Sequence, residues 1–151
     1  MLVDYKIDPA HSSAQFSVRH MMISNVRGGF GNVQGAVAYD AQNVGASKVD
    51  VEIDADTVNT LENARDSHLK SSDFLHVEKY PTITFKSKAV TPNGEGELRL
   101  KGDLTIHGVT KEVILAVEGP STEVTVAVRS FRISHLMLDG QVPGVKRFET
   151  F

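Results

Sequence analysis

Leu98-Arg99-Leu100-Lys101-Gly102-Asp103-Leu104-Thr105-Ile106-His107-Gly108 decides the fold. Successive side chains of an extended strand point to opposite faces, so Leu98, Leu100, Leu104 and Ile106 share one side and Arg99, Lys101, Asp103 and Thr105 the other. His107-Gly108 can make a tight turn, with glycine supplying positive φ. Val113, Leu115 and Val117 then repeat the apolar row. Two such strands joined by a short turn form an antiparallel hairpin.

The same period extends in both directions. Downstream, Gly119-Pro120-Ser121 reads as a turn and Val124, Val126 and Val128 as the next row. Upstream, Pro92-Asn93-Gly94 carries the Asn-Gly turn signal, and Ile83 and Phe85 alternate with Thr82, Thr84 and Lys86. Val49, Val51 and Ile53 alternate with Asp50, Glu52 and Asp54, which gives a strand with one wet face. Val33, Gly35, Val37 and Tyr39 form another row, and Ala14, Phe16, Val18 and His20 another. So many one-faced strands must close into a barrel or pack as a sandwich. The expected fold class is all-β and antiparallel. The exception runs from Asn59 to about Leu75. There Asn59 and Glu62 have capping-box spacing, and Leu61, Ala64, His68 and Leu69 share a helical face, predicting one short helix over or beside the barrel.

Composition sets the outer bounds. A chain of 151 residues suits one domain, and 40% apolar residues are enough for a core. A net charge of -3 without basic runs argues against nucleic acid as partner. The absence of Cys excludes disulfides, thiolate metal sites and cysteine nucleophiles. No apolar run is long enough for a membrane span, and Met1-Leu2-Val3-Asp4 lacks the start of a secretory signal. The expectation is a soluble cytoplasmic protein, or a periplasmic or secreted one if the chain is a mature form.

Three strings resemble the YceI-like family. They are Ser13 to Gly28, with Phe16-Ser17-Val18-Arg19-His20-Met21; Arg65-Asp66-Ser67-His68-Leu69-Lys70-Ser71-Ser72-Asp73-Phe74 followed by Glu78-Lys79-Tyr80-Pro81-Thr82-Ile83-Thr84-Phe85; and Gly102-Asp103-Leu104-Thr105-Ile106-His107-Gly108-Val109-Thr110. The resemblance implies an extended antiparallel lipocalin-like β-barrel whose inner pore takes isoprenoids or other long-chain lipids. It spans the chain from its start to about Val124. Residues 125–151 depart from the family pattern as a divergent or shortened end, which leaves barrel closure open. The apolar phase shifts near Arg129, suggesting a bulge or break. Glu123 to Leu138 is apolar and β-rich but out of register, so it either closes the barrel within one chain or pairs edge to edge in a homodimer; the dimer is the expectation.

With a pore implied, the inward rows become its lining: Phe16, Val18, Val37, Tyr39, Val51, Ile53, Phe85, Leu104 and Ile106. Gly35, Gly102 and Ala14 in those rows would leave room. Phe74 joins the ligand-binding set, as does Met22, since Met adapts to irregular shapes. His20, Arg65 and His68 are candidate polar anchors for a head group. Each has a plainer reading. His20 on an apolar face reads first as a core His bonded to a neighbour, and Arg65-Asp66 as a pin between helix and barrel. Asp66-Ser67-His68 cannot act as a triad, because consecutive helical side chains diverge by about 100°. The six His residues lack a tight metal-ligand spacing, and His107 reads as an exposed turn residue. Gly28-Gly29-Phe30-Gly31 lacks the Lys-Ser or Lys-Thr of a phosphate cradle and reads as a bend between strands.

These readings converge on a carrier for an isoprenoid, isoprenoid quinone or fatty-acid-like lipid, without catalytic residues, metal or cofactor. The competing readings are a hydrolase or isomerase acting on such a lipid with His20 or His68 as base, and a stress-related structural module with a filled barrel. Each buried CH₂ contributes ~0.8 kcal/mol against an association cost of ~4–15 kcal/mol. Only a tail of a dozen or more carbons would therefore bind well.

Overall fold

The computed structural model describes residues 1–20, 24–94, 96–118 and 132–133. Its strands are β1 (Val3–Lys6), β2 (Ala14–His20), β3 (Ser24–Phe30), β4 (Gln34–Tyr39), β5 (Lys48–Asp54), β6 (Thr82–Pro92), β7 (Glu97–Ile106), β8 (Val109–Glu118) and β9 (Arg132–Ile133). A helix, α1 (Asn63–Lys70), lies between β5 and β6. The main sheet has the order β1-β4-β5-β6-β7-β8-β9, while β2 and β3 form a separate hairpin. All the described pairings are antiparallel. This is the all-β antiparallel arrangement that the alternation predicts and the lipocalin-like one that the resemblance implies. β1, which the alternation did not single out, pairs with β4 through Tyr5 and Val37.

Register brings the apolar rows together. Val37 faces Val49, Val51 faces Phe85, Ile53 faces Ile83, and Leu100 faces both Val90 and Leu115. These cross-strand neighbours form the main core. Within β6 the inward side changes parity. Ile83 and Phe85 are buried at odd positions, Val90 at an even one. The switch is a bulge: Ser87 pairs with Gly102 and Ala89 with Lys101, leaving Lys88 as the extra residue. Lys88 turns outward, where its Nζ meets Asp103 at 3.0 Å and Glu112 at 3.1 Å.

The Asn93-Gly94 turn is as expected, with Asn93 N donating to Glu97 O across it. Two local expectations are corrected. The short helix lies within Asn59–Leu75 as expected, but Asn59 does not cap it: Asn59 Oδ1 accepts from Leu61 N in a tight turn of its own. Leu61 is consequently thrown outward with φ 66° and is 94% exposed, rather than sharing the buried face of Leu69. Of the run Gly28-Gly29-Phe30-Gly31, the first three residues lie within β3, and only Gly31 enters the connection to β4. The turn at Gly119, the strand at Val124–Val128 and the expectations about Glu123–Leu138 fall outside the described residues.

Candidate functional site

The inner face of the sheet is layered along the strands. At one end sits a plug made by α1 and the turns that follow it. Val58, Leu69, Phe74 and Leu75 form a second buried cluster, distinct from the main core. Phe74 is wholly inaccessible. Phe30, Val77 and Ile106 pack against both clusters, so they form the layer where plug and sheet meet.

Side chain to backbone bonds fix the plug. Asp66 Oδ1 accepts from Thr60 N at 2.8 Å and from Thr60 Oγ1 at 2.6 Å. Arg65 donates through Nε to Thr60 Oγ1 and through Nη2 to Thr60 O, and its Nη1 lies 2.9 Å from Glu62. Arg65 and Asp66 thus fold the chain before α1 onto the helix, rather than pinning the helix directly to a strand. His68 Nε2 donates to Asp73 at 3.0 Å, with its ring edge-on to Phe74. His107 is not merely an exposed turn residue. It is half-buried at φ 53°, and its Nδ1 donates to the Phe74 carbonyl at 2.6 Å while its ring lies against Tyr80. The β7–β8 turn therefore latches the backbone of the plug's central residue. Sequence reading missed this because nothing local to His107 signals a partner 33 residues away.

The expected lining separates into two groups. Val37, Phe85 and Leu104 are buried in the main core. Tyr39, Val51, Ile53 and Ile106 pack against that core but are only half-buried. Phe16 is half-buried on the β2–β3 hairpin, 5.5 Å from Phe30. Phe74 belongs to the plug. The strand β2 carries Val18 and His20, whose side chains are not among those described, and Met22 falls outside the described residues.

The glycines do not leave room in the way the sequence suggested. A Cβ on Gly102 would stand 2.6 Å from the Phe85 ring and would collide with the Lys86 carbonyl. One on Gly35 would meet the Asp50 carbonyl, and one on Gly28 would enter the Phe16 ring. These glycines permit close approach: the space beside Gly102 and Gly28 is occupied by aromatic rings from the neighbouring strands. Phe30 could have been found by parity, since its pairing with Ala14 puts it on the same face as Phe16.

An antiparallel meander with an apolar inner face, a detached hairpin and a helical plug at one end defines a protein of the lipocalin-like β class. Its family follows from comparison with known sequences. The YceI-like domain matches residues 5–143, and the chain belongs to that family. Over 117 residues it is 42% identical to a UPF0312 protein of Vibrio cholerae, a match covering 76% of this chain and 62% of that protein. The chain thus spans about three-fifths of the length of the curated relatives it matches. Among solved structures it is similar to the Campylobacter jejuni YCEI protein, with 36% identity and a TM-score of 0.58 over 74% of this chain and 66% of that one. A polyisoprenoid binding domain from Saccharophagus degradans, implicated in plant cell wall breakdown, shares the fold at 16% identity and a TM-score of 0.54, over 78% of this chain and 68% of that one. Among the described residues no helix is long and apolar enough to cross a membrane.

Proposed function

We propose that this chain is a carrier that holds the long apolar chain of an isoprenoid, isoprenoid quinone or fatty-acid-like lipid along the inner face of its sheet. The observation that supports this most is a set of apolar side chains, spread over four strands and packed against the main core, that packing leaves half-covered. Tyr39, Val51, Ile53, Ile106 and Val113 all contact the main core, yet each keeps accessible surface. An apolar face left partly uncovered is unfavourable unless something else covers it. A lipid tail fits, because it is long, narrow and needs no polar partner. Twelve methylenes would contribute about 10 kcal/mol of burial, enough to overcome much of the ~4–15 kcal/mol association cost. The YceI-like family and the polyisoprenoid binding domain of similar fold agree with this reading.

Arg65 and His68 enter the proposal as parts of the plug, since their donors are engaged by Thr60, Glu62 and Asp73. No catalytic group is required.

Mass spectrometry of an organic extract of the purified protein tests the proposal, together with reloading of the delipidated protein. Co-purified lipid, or saturable uptake of a fluorescent long-chain lipid displaced by unlabelled prenyl alcohol, is the expected result. A protein that brings no lipid with it and takes up no chain of any length is not a carrier.

A further inference from the structure

We propose that the layer formed by Phe16, Phe30 and Ile106 is a ruler: it stops the far end of the bound chain and so sets the longest tail the protein accepts. This rests on the carrier reading above and adds to it a direction and a length limit.

The argument starts from the plug beneath that layer. A lid that opens would be held by few contacts. This segment is held from several sides: Thr60 by Arg65 and Asp66, the Phe74 carbonyl by His107, Ala55 N by the Pro81 carbonyl, and Asn59 by a reciprocal backbone pair with Gly29. The four residues of its buried cluster, Val58, Leu69, Phe74 and Leu75, are exposed to 7% or less. Such a segment behaves as a fixed floor. A chain lying along the inner face therefore cannot continue through this end.

Phe30 and Ile106 stand directly on that floor. Both pack against the plug cluster and against the main core, and both remain half-buried. Ile106 ends the inward row of β7 that runs from Leu98 through Leu100 and Leu104. Phe30 ends β3, and its ring meets Phe16 at 5.5 Å and a 45° tilt. Phe16 cannot retreat towards its partner strand, because its ring already fills the space beside Gly28. The surface offered is thus two aromatic rings and a branched aliphatic group. It suits a methyl or isopropylidene terminus and offers nothing to a charged head. Of the polar groups at this end, Arg65, Asp66 and His68 are engaged within the plug, and His107 donates to the Phe74 carbonyl with its ring between those of Tyr80 and His76. The tail accordingly points towards α1 and the head group lies towards the opposite end of the strands.

Native mass spectrometry of the full delipidated chain, loaded with an equimolar series of straight-chain alcohols of rising length, reads the limit. The wild type should show a cut-off above which each added carbon no longer gains the roughly fourfold affinity of a buried methylene. Because a core relaxes only partly around a truncated side chain, Phe30→Ala should lengthen the cut-off by about three or four carbons. Ile106→Trp should shorten it by a similar amount. Ile106→Val and Ile106→Phe are milder variants that test the same direction if either larger change fails to fold, as thermal melting would reveal. The matching series of carboxylic acids should give the same cut-off. A cut-off unchanged in every folded variant, or one that follows the head group, overturns the ruler while leaving the carrier standing. Failure of the wild type to bind any alcohol or acid removes the carrier reading and the ruler with it.

Discussion

The α1 end and the middle of one apolar surface are built to different standards. At the α1 end, Val58, Leu69, Phe74 and Leu75 are sealed from solvent, and hydrogen bonds donated by Arg65 and His107 and accepted by Asp66 hold the backbone around them. In the middle of the sheet, Val51 and Val113 face the same interior but stay half-covered. Dense packing maximises stability, so a protein selected for stability alone would finish both regions alike. The plug cluster is sealed throughout, whereas the mid-sheet keeps uncovered apolar surface at Val51 and Val113 beside the buried Phe85 and Leu115.

Truncation gives the most direct way to break that comparison. Phe74→Ala should destabilise the protein by about 3–5 kcal/mol, the range for removing a fully buried aromatic ring. Val51→Ala should cost well under half as much, because less of its side chain is covered. Urea denaturation with a common slope measures both. Equal losses would mean that the middle is as tightly packed as the end.

Gly102 sharpens the contrast from the other side. Not all of the mid-sheet is open, for the Phe85 ring lies on Gly102 and the Lys86 carbonyl crowds it. Gly102→Ala should therefore cost about 1–3 kcal/mol, as overpacking does. Phe85→Leu in the same chain should recover part of the loss, since it withdraws the ring that the new methyl meets. A double-mutant cycle without coupling would place the strain in the backbone contact instead.

What could be read beforehand follows the range of the physics. The strand rows were legible because period two is a local signal: Val49 to Asp54 and Leu98 to Ile106 declare their faces within a few residues. The bulge at Lys88 was not, because the change from Phe85 to Val90 as inward residue depends on pairing with β7. The helix was legible in place but not in how it starts. Asn59 closes its own turn with Leu61, and the acceptor that organises the helix start is Asp66, which reaches back to Thr60. The site divided similarly. Apolar lining could be inferred from parity, whereas the His107–Phe74 bond and the ring–glycine contacts join segments far apart in the chain. Glycine in an inward row looked like space; register shows which ring fills it.

Enlargement tests the mid-sheet as a binding face. Val51→Trp should cost about 1 kcal/mol, the low end of overpacking, because the side chain extends into partly uncovered space. Lipid uptake should fall by an order of magnitude or more, since the indole would occupy the path of the tail. Unchanged uptake in a stable variant would place the ligand elsewhere.

The smallest effect belongs to the outer face of the same strands. Lys88 Nζ bridges Asp103 and Glu112, and Lys101 adds a contact to Glu112 at 3.4 Å. Hydrogen bonding from Lys88, then from Lys101, holds the Glu112 carboxyl below its ordinary range. Bonds to Asp103 and Glu112 raise Lys88 above its own. The Glu112 contribution is therefore present above the usual glutamate range and lost as pH falls through the lowered value. The Lys88 contribution is present below the usual lysine range and lost as pH rises through the raised one. Between these limits the network adds a constant amount. That amount is small, because exposed pairs are well solvated and screened by salt. Glu112→Gln should shift Tm at neutral pH by about one degree or less, with the difference shrinking further in 1 M salt and vanishing at acid pH. The α1 end sets the standard for comparison: Asp66→Asn, which weakens the half-buried acceptor of both Thr60 donors, should lower Tm several times more. A Glu112→Gln loss as large as that of Asp66→Asn would show that surface charge, rather than the packed and latched plug, stabilises this fold.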